Sequence, residues 1–183
     1  VVAAGAHSVL VDRADEVEAL RLEGIRATTV LDADIDPRLL YGLPSVDGHV
    51  ETTPVLRLVG QVLSTKPLYA GEAVSYDHTH RAETDTRVAL VTGGYAQGIV
   101  RALGNAASVE IDGALRPIVG RVAMDVCVVD IGDLDVQDGT DVTYFGGRGP
   151  AAKSLGTWAQ LTGMTAGELL AVAAQHARRE WEA

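Results

Sequence analysis

The residues best suited to chemistry gather in three short stretches. In GEAVSYDHTHRAE (71–83), Asp77, His78 and His80 crowd the end of an apolar run that reaches Tyr76. An imidazole titrates near neutrality without help, so His80 is a candidate base. The plain alternative is a solvent-facing histidine in a loop. His78 and His80 stand two apart, which on a strand places both on one face where zinc could be ligated. A metal site needs three or four ligands, and Asp77 would point the other way, so a polar strand end is expected and no metal. GGYAQGIVR (93–101) carries Tyr95 and Arg101. Its glycines open no helix in the GxGxxG register, so it is no phosphate loop, and taken by themselves its polar residues line a loop or a dimer contact. Met124 and Asp125 interrupt RVAMDVCVVD. By themselves they read as a gap-filling core methionine and an acid at a bend or in a hydrogen bond. Cys127, the single cysteine, reads as a buried structural thiol. The acids of 130–141 read as a solvated turn, since no EF-hand register appears.

The chain that must position these residues has 183 residues, 47% apolar but only 4% aromatic. A globular core built from Val, Leu, Ile and Ala follows. The formal charge of -10, with acids spread along the chain, argues against nucleic acid and anionic membrane as partners. No stretch approaches the roughly 20 apolar residues of a membrane-spanning helix, and no signal-peptide pattern appears. A cytoplasmic location is therefore expected.

HSVLV (7–11) and IRATTVLDA (25–33) read as strands around a helix in DRADEVEALRLEG (12–24). Asp12 should cap that helix, Val17 and Leu20 share a face, and Gly24 ends it. One βαβ unit cannot bury both of its faces, so its neighbours must come from elsewhere. From Pro54 onward, valine-rich runs punctuated by Gly, Asp and Pro predict an antiparallel barrel or sandwich, with a hairpin turning at Asp112-Gly113. The tail is helical. Thr165 caps the last helix with Glu168 three residues on, and Leu169, Val172 and Ala173 form its buried stripe. LPSVDGHVETTP (43–54) marks the boundary between a unit at 1–45 and a domain at 46–183. The expected class is α+β, mainly β.

Several runs, in order, resemble the C-terminal domain of alanine racemase, a fold-type III pyridoxal phosphate enzyme. They are LLYGLP (39–44), PVLRLVGQV (54–62), GEAVSY (71–76), GGYAQGIVR (93–101), IDGALRPIVGRVAMD (111–125) and GTDVTYFG (139–146). The resemblance implies an antiparallel β-barrel-like domain preceded by a short βαβ remnant of a TIM-like barrel. It also implies a reaction in which the cofactor sits on a barrel lysine, and that lysine and a tyrosine from the other subunit's C-terminal domain move the α-proton. Two bases are needed because a racemase removes a proton from one face and returns it to the other.

This chain departs from the pattern at several positions. The cofactor lysine is expected upstream of Val1, and Lys66 and Lys153 match no role. Ile35 falls where the family's pyridine-contacting arginine should be, with Arg38 out of register. In the resemblance, Asp77 replaces a glycine, His80 stands at the catalytic-tyrosine position, Gln97 replaces an aspartate, and Gln175 stands where a phosphate-contacting tyrosine is expected. The backbone of Met124 would face a substrate carboxylate beside Asp125, and Tyr95 and Arg101 would line the entry. The expectation is an alanine racemase-like protein without autonomous racemase activity, a pseudoenzyme or binding and regulatory β-domain. This chain alone should hold no cofactor, and its partner should be a second copy or a chain bearing a racemase-type barrel. The alternative is a genuine pyridoxal phosphate-dependent enzyme interconverting L- and D-alanine for cell-wall precursors, if the chain is a fragment of a longer protein or pairs with such a barrel.

Overall fold

The computed structural model describes residues 7–29, 41–43 and 53–181. Ile35, Arg38, Leu39, Leu40, Pro44 and most of the boundary predicted within 43–54 lie outside the described residues.

At the N-terminal end, strands β1 (Val9–Leu10) and β2 (Ala27–Thr28) pair in parallel around helix α1 (Ala14–Leu22). The expected βαβ unit is present, with β2 shorter in its described part than 25–33. Asp12 is not its cap. Arg13 holds the N-cap position, and the Glu16 carboxylate accepts the backbone N–H groups of Asp12 and Arg13. Gly24 takes the left-handed backbone, φ 73°, that lets the chain turn back after the helix. No residue of α1 is fully buried; Val17 and Leu20 are half-buried and Leu22 is exposed. Among the described residues, little covers this helix.

The rest is a six-stranded sheet in the order β8-β7-β10-β3-β6-β9, made of β3 (Arg57–Leu68), β6 (Thr86–Thr92), β7 (Ser108–Ile111), β8 (Ala114–Pro117), β9 (Val126–Asp130) and β10 (Asp141–Gly146), every pair antiparallel. The edges meet where Ile118, just past β8, bridges Val129 of β9, and the Val119 N–H donates to the Val128 carbonyl at 2.8 Å. This closure makes the sheet a barrel and leaves no long open edge. Register shifts between Val62 and Ser64 and between Thr143 and Phe145 supply the bends that closure needs. The β7–β8 hairpin turns at Asp112 and Gly113, both with positive φ, the two-residue turn expected of Asp-Gly.

Alternation along β6 decides what lies inside. Ala89 and Val91 point into the barrel with Val62, Val109, Val129 and Val142, while Val88 points outward. Helices α2 (Ser154–Thr162) and α3 (Ala166–Ala174) plug one end of the barrel. Trp158 is fully buried there, edge-on to Phe145 at 5.3 Å and to Tyr144 at 6.1 Å. The Thr165–Glu168 cap forms as expected. The stripe on α3 is Leu169 and Ala173, with Leu170 and Ala166 partly buried; Val172 is exposed, a correction that follows from the helix presenting its i, i+4 row to the barrel. Outside the barrel, β4 (Ala73–Val74) and β5 (His80–Arg81) form a small hairpin. It seats Val74 and Ala82 on Leu68, Val88 and Val119 in a second apolar cluster. That cluster anchors both ends of the loop that carries Tyr76.

Candidate active site

The loop from Ser75 to Thr79 leaves β4, passes through a short 3₁₀ turn at Tyr76–His78 and returns in β5. Ser75, Asp77 and His78 all have positive φ (61°, 58° and 50°). Such backbone is costly for non-glycine residues and persists only where the surroundings over-determine it. Here three contacts do so. The Ser75 hydroxyl donates to the Arg121 carbonyl at 2.6 Å, Asp77 pairs with the Arg121 guanidinium at 2.7 Å, and the Asn105 amide donates to the Thr79 hydroxyl at 3.1 Å. Asn105 also accepts the Gly120 N–H at 2.6 Å, tying the loop to the end of the β7–β8 segment. Gly120 has φ 76°, and a Cβ there would meet the Ser75 Cβ at 2.6 Å.

The outcome is that Tyr76 stands 66% exposed, with Asp77 and His78 also exposed. His80 sits on β5 opposite Val74 and is partly buried. The shared-face geometry expected of His78 and His80 does not form, because His78 lies in the 3₁₀ turn rather than on the strand. Among the described residues, no three His, Cys, Asp or Glu side chains cluster so as to hold a metal ion.

GGYAQG forms a second loop, held along the chain segment 123–125. Gly93, Tyr95 and Ala96 donate their N–H groups to the carbonyls of Asp125, Ala123 and Met124, each at 2.9 Å. Gly94 is required where it lies, because a Cβ would collide with the Met124 carbonyl. The Gln97 side chain accepts from the Gly94 N–H at 3.0 Å and donates to the Asp125 carboxylate at 2.9 Å. The Arg101 guanidinium stacks over the Tyr95 ring, 5.3 Å from its centroid. Met124 is 54% exposed, so the core position weighed for it is wrong: β9 begins only at Val126, and Met124 belongs to the loop before it.

Residues 120–125 are thus the spine of the site. One end fixes the Tyr76 loop through Arg121, and the other fixes the Tyr95 loop through Ala123, Met124 and Asp125. The structure joins Tyr95, Arg101, Met124 and Asp125 on this spine with the Tyr76 loop beside them. Gln175 ends α3 with its N–H donating to the Val172 carbonyl, and joins the cluster through no described hydrogen bond. Sequence reasoning missed Arg121 and Asn105. Arg121 stands three residues before Met124 in both runs quoted, but its partner Asp77 is 44 residues away.

Beneath the Tyr95 loop is a buried polar support. The Cys127 thiol donates to the Gly93 carbonyl at 3.0 Å, and the Tyr144 hydroxyl donates to the Thr92 carbonyl at 2.8 Å. Burial pushes the Cys127 thiol up to about 11 and carries the Tyr144 phenol well above its ordinary value. Both groups stay protonated donors at neutral pH. The structural thiol expected of Cys127 is the one observed.

Among the described residues, the fit to pyridoxal phosphate is poor. The site is an open face without a lysine. An adjoining groove of about 370 Å³ under the β4–β5 hairpin has Lys66, Ser64 and Ser75 among apolar neighbours. It presents no arginine and no helix N-terminus for a phosphate dianion.

Comparison with known proteins follows the same outline. The family described as alanine racemase, C-terminal domain, matches residues 55–181. An alanine racemase of Mycolicibacterium vanbaalenii is 44% identical over 116 residues, 62% of this chain and 30% of that protein. The structure of alanine racemase from Acinetobacter baumannii superposes with a TM-score of 0.70 at 31% identity, over 78% of this chain and 40% of that one. That of Bartonella henselae, solved with covalently bound pyridoxal phosphate, gives 0.66 at 30% identity over 76% and 38%. The chain spans about a third of the length of the curated relatives it matches.

Proposed function

The chain belongs to the alanine racemase C-terminal domain family, and from that premise we propose that it supplies one half of a racemase-type site to a barrel that holds the cofactor. Alone it does not racemise. Pyridoxal phosphate, bound on such a barrel, would serve as the electron sink that makes an α-proton removable. The chain's own part is to present a proton-carrying side chain and to orient an amino acid at the joint face.

The observation that carries this reading is the Tyr76 loop. A phenol two-thirds exposed, between residues of positive φ and held by Ser75, Asp77 and Thr79, is a group presented outward. His80 is the weaker candidate, because it lies partly buried within a strand pair whereas Tyr76 meets solvent. We therefore assign the proton-transfer role to Tyr76 and give His80 none. Arg101, stacked over Tyr95, supplies a cation suited to a substrate carboxylate. Gln97 holds the Asp125 carboxylate in place. The unit at 1–45 is read as part of the barrel side of the molecule, and a second copy or another barrel-bearing chain as the partner. Incubated with L-alanine and pyridoxal phosphate, the purified chain should form no D-alanine by chiral chromatography. Steady accumulation of D-alanine would overturn the proposal.

A further inference from the structure

We propose that Arg121 is the positioning residue of the Tyr76 loop, and that its ion pair with Asp77 holds a left-handed bend that a glycine would adopt unaided. Asp77 has φ 58°, a conformation that favours glycine. Its carboxylate reaches the Arg121 guanidinium at 2.7 Å, and the carbonyl of the same arginine receives the Ser75 hydroxyl at 2.6 Å. Arg121 therefore grips the loop on both sides of Tyr76, through its side chain on one and its backbone on the other. Arg121 itself is held in place by its neighbour Gly120, whose N–H is bound by Asn105. The side chains of the ion pair are 47% and 64% exposed, so the pair is modest in strength and weakened by salt. Its leverage comes from where it acts, on a bend whose backbone is already strained. The functional meaning rests on the role proposed for Tyr76, but the arrangement of the loop does not.

Native-state hydrogen exchange on the 183-residue chain separates the two. At low salt, Arg121→Gln should speed exchange of the amides of residues 76–80 by about two- to fivefold, the scale of an exposed ion pair, with the barrel amides unchanged. In an Asp77→Gly background the same substitution should have no such effect, because glycine takes the bend freely. In an Asp77→Ala background the loop should already exchange fast, and Arg121→Gln should add nothing. The proposal is overturned if Arg121→Gln leaves the loop amides unchanged, or if Asp77→Gly fails to restore slow exchange. Exchange does not depend on racemisation, so a loop that behaves as predicted while Tyr76 proves inert would condemn the functional reading alone.

Discussion

At the scale of single residues, the site depends on groups that are polar, buried and uncharged. Cys127 and Tyr144 hold the carbonyls at the end of β6, where the Tyr95 loop begins, and burial disfavours ionisation of either. The sign follows directly. A folded-state value for Cys127 raised from 9.0 to about 11 contributes stability that is fully present below the unfolded value and lost as pH rises through the folded one. The thermal midpoint should therefore fall between about pH 9 and 11, with Tyr144 adding to the loss in the same direction. At pH 8 iodoacetamide should leave Cys127 unmodified in the native chain and label it readily in denaturant, as read by intact mass. Rapid native labelling would contradict the buried support. Cys127 was legible as a buried thiol from its apolar run. Its carbonyl partner was not, because Gly93 lies 34 residues away and only barrel closure brings the two together.

At the scale of elements, local signals carried most of what could be read. Asp112-Gly113 specified its hairpin because few other residues take positive φ in succession, and Thr165 with Glu168 specified the start of α3 because the cap is a short-range bond. Asp12 failed as a cap since Glu16 captured the free N–H groups from within the helix. Val172 failed as a core residue since the face of α3 is set by the barrel it plugs, not by apolarity. Glu168 also offers a measurable pH signature. Its carboxylate is held below the ordinary value of 4.5, first by the Thr165 N–H, then by the Thr165 hydroxyl, and by Arg13 nearby. A depressed value means stability present above the unfolded value and lost as pH falls through the folded one. The thermal midpoint of the parent should exceed that of Glu168→Gln at pH 7, and the gap should close as pH falls below 4.5. A gap that persists at low pH would mean that the charge has no part in the cap.

At the scale of the whole molecule, the barrel and the site face were visible in the sequence as separate runs, but their meeting was not. Met124 illustrates the difficulty: its neighbours are strand-forming, and only the late start of β9 turns it outward. His80 illustrates it in the other direction, since counting along a motif points to it while the fold leaves His80 partly buried and Tyr76 exposed. The βαβ unit has a helix that buries no residue fully, joined to α3 by the Arg13–Glu168 pair at 3.5 Å. Among the described residues this parallel sheet has two strands, and parallel strands are ordinarily buried within a larger layer. Both features fit a chain that completes its site and its fold against a barrel. The most direct measurement is complementation: mix the chain with a cofactor-loaded barrel fragment of an alanine racemase and follow D-alanine from L-alanine. The account predicts activity in the co-eluting mixture, reduced by Tyr76→Phe at least about a hundredfold, the scale of a lost proton-transfer group, and kept by His80→Gln. A co-eluting mixture that makes no D-alanine, or one equally active with Tyr76→Phe, would contradict it.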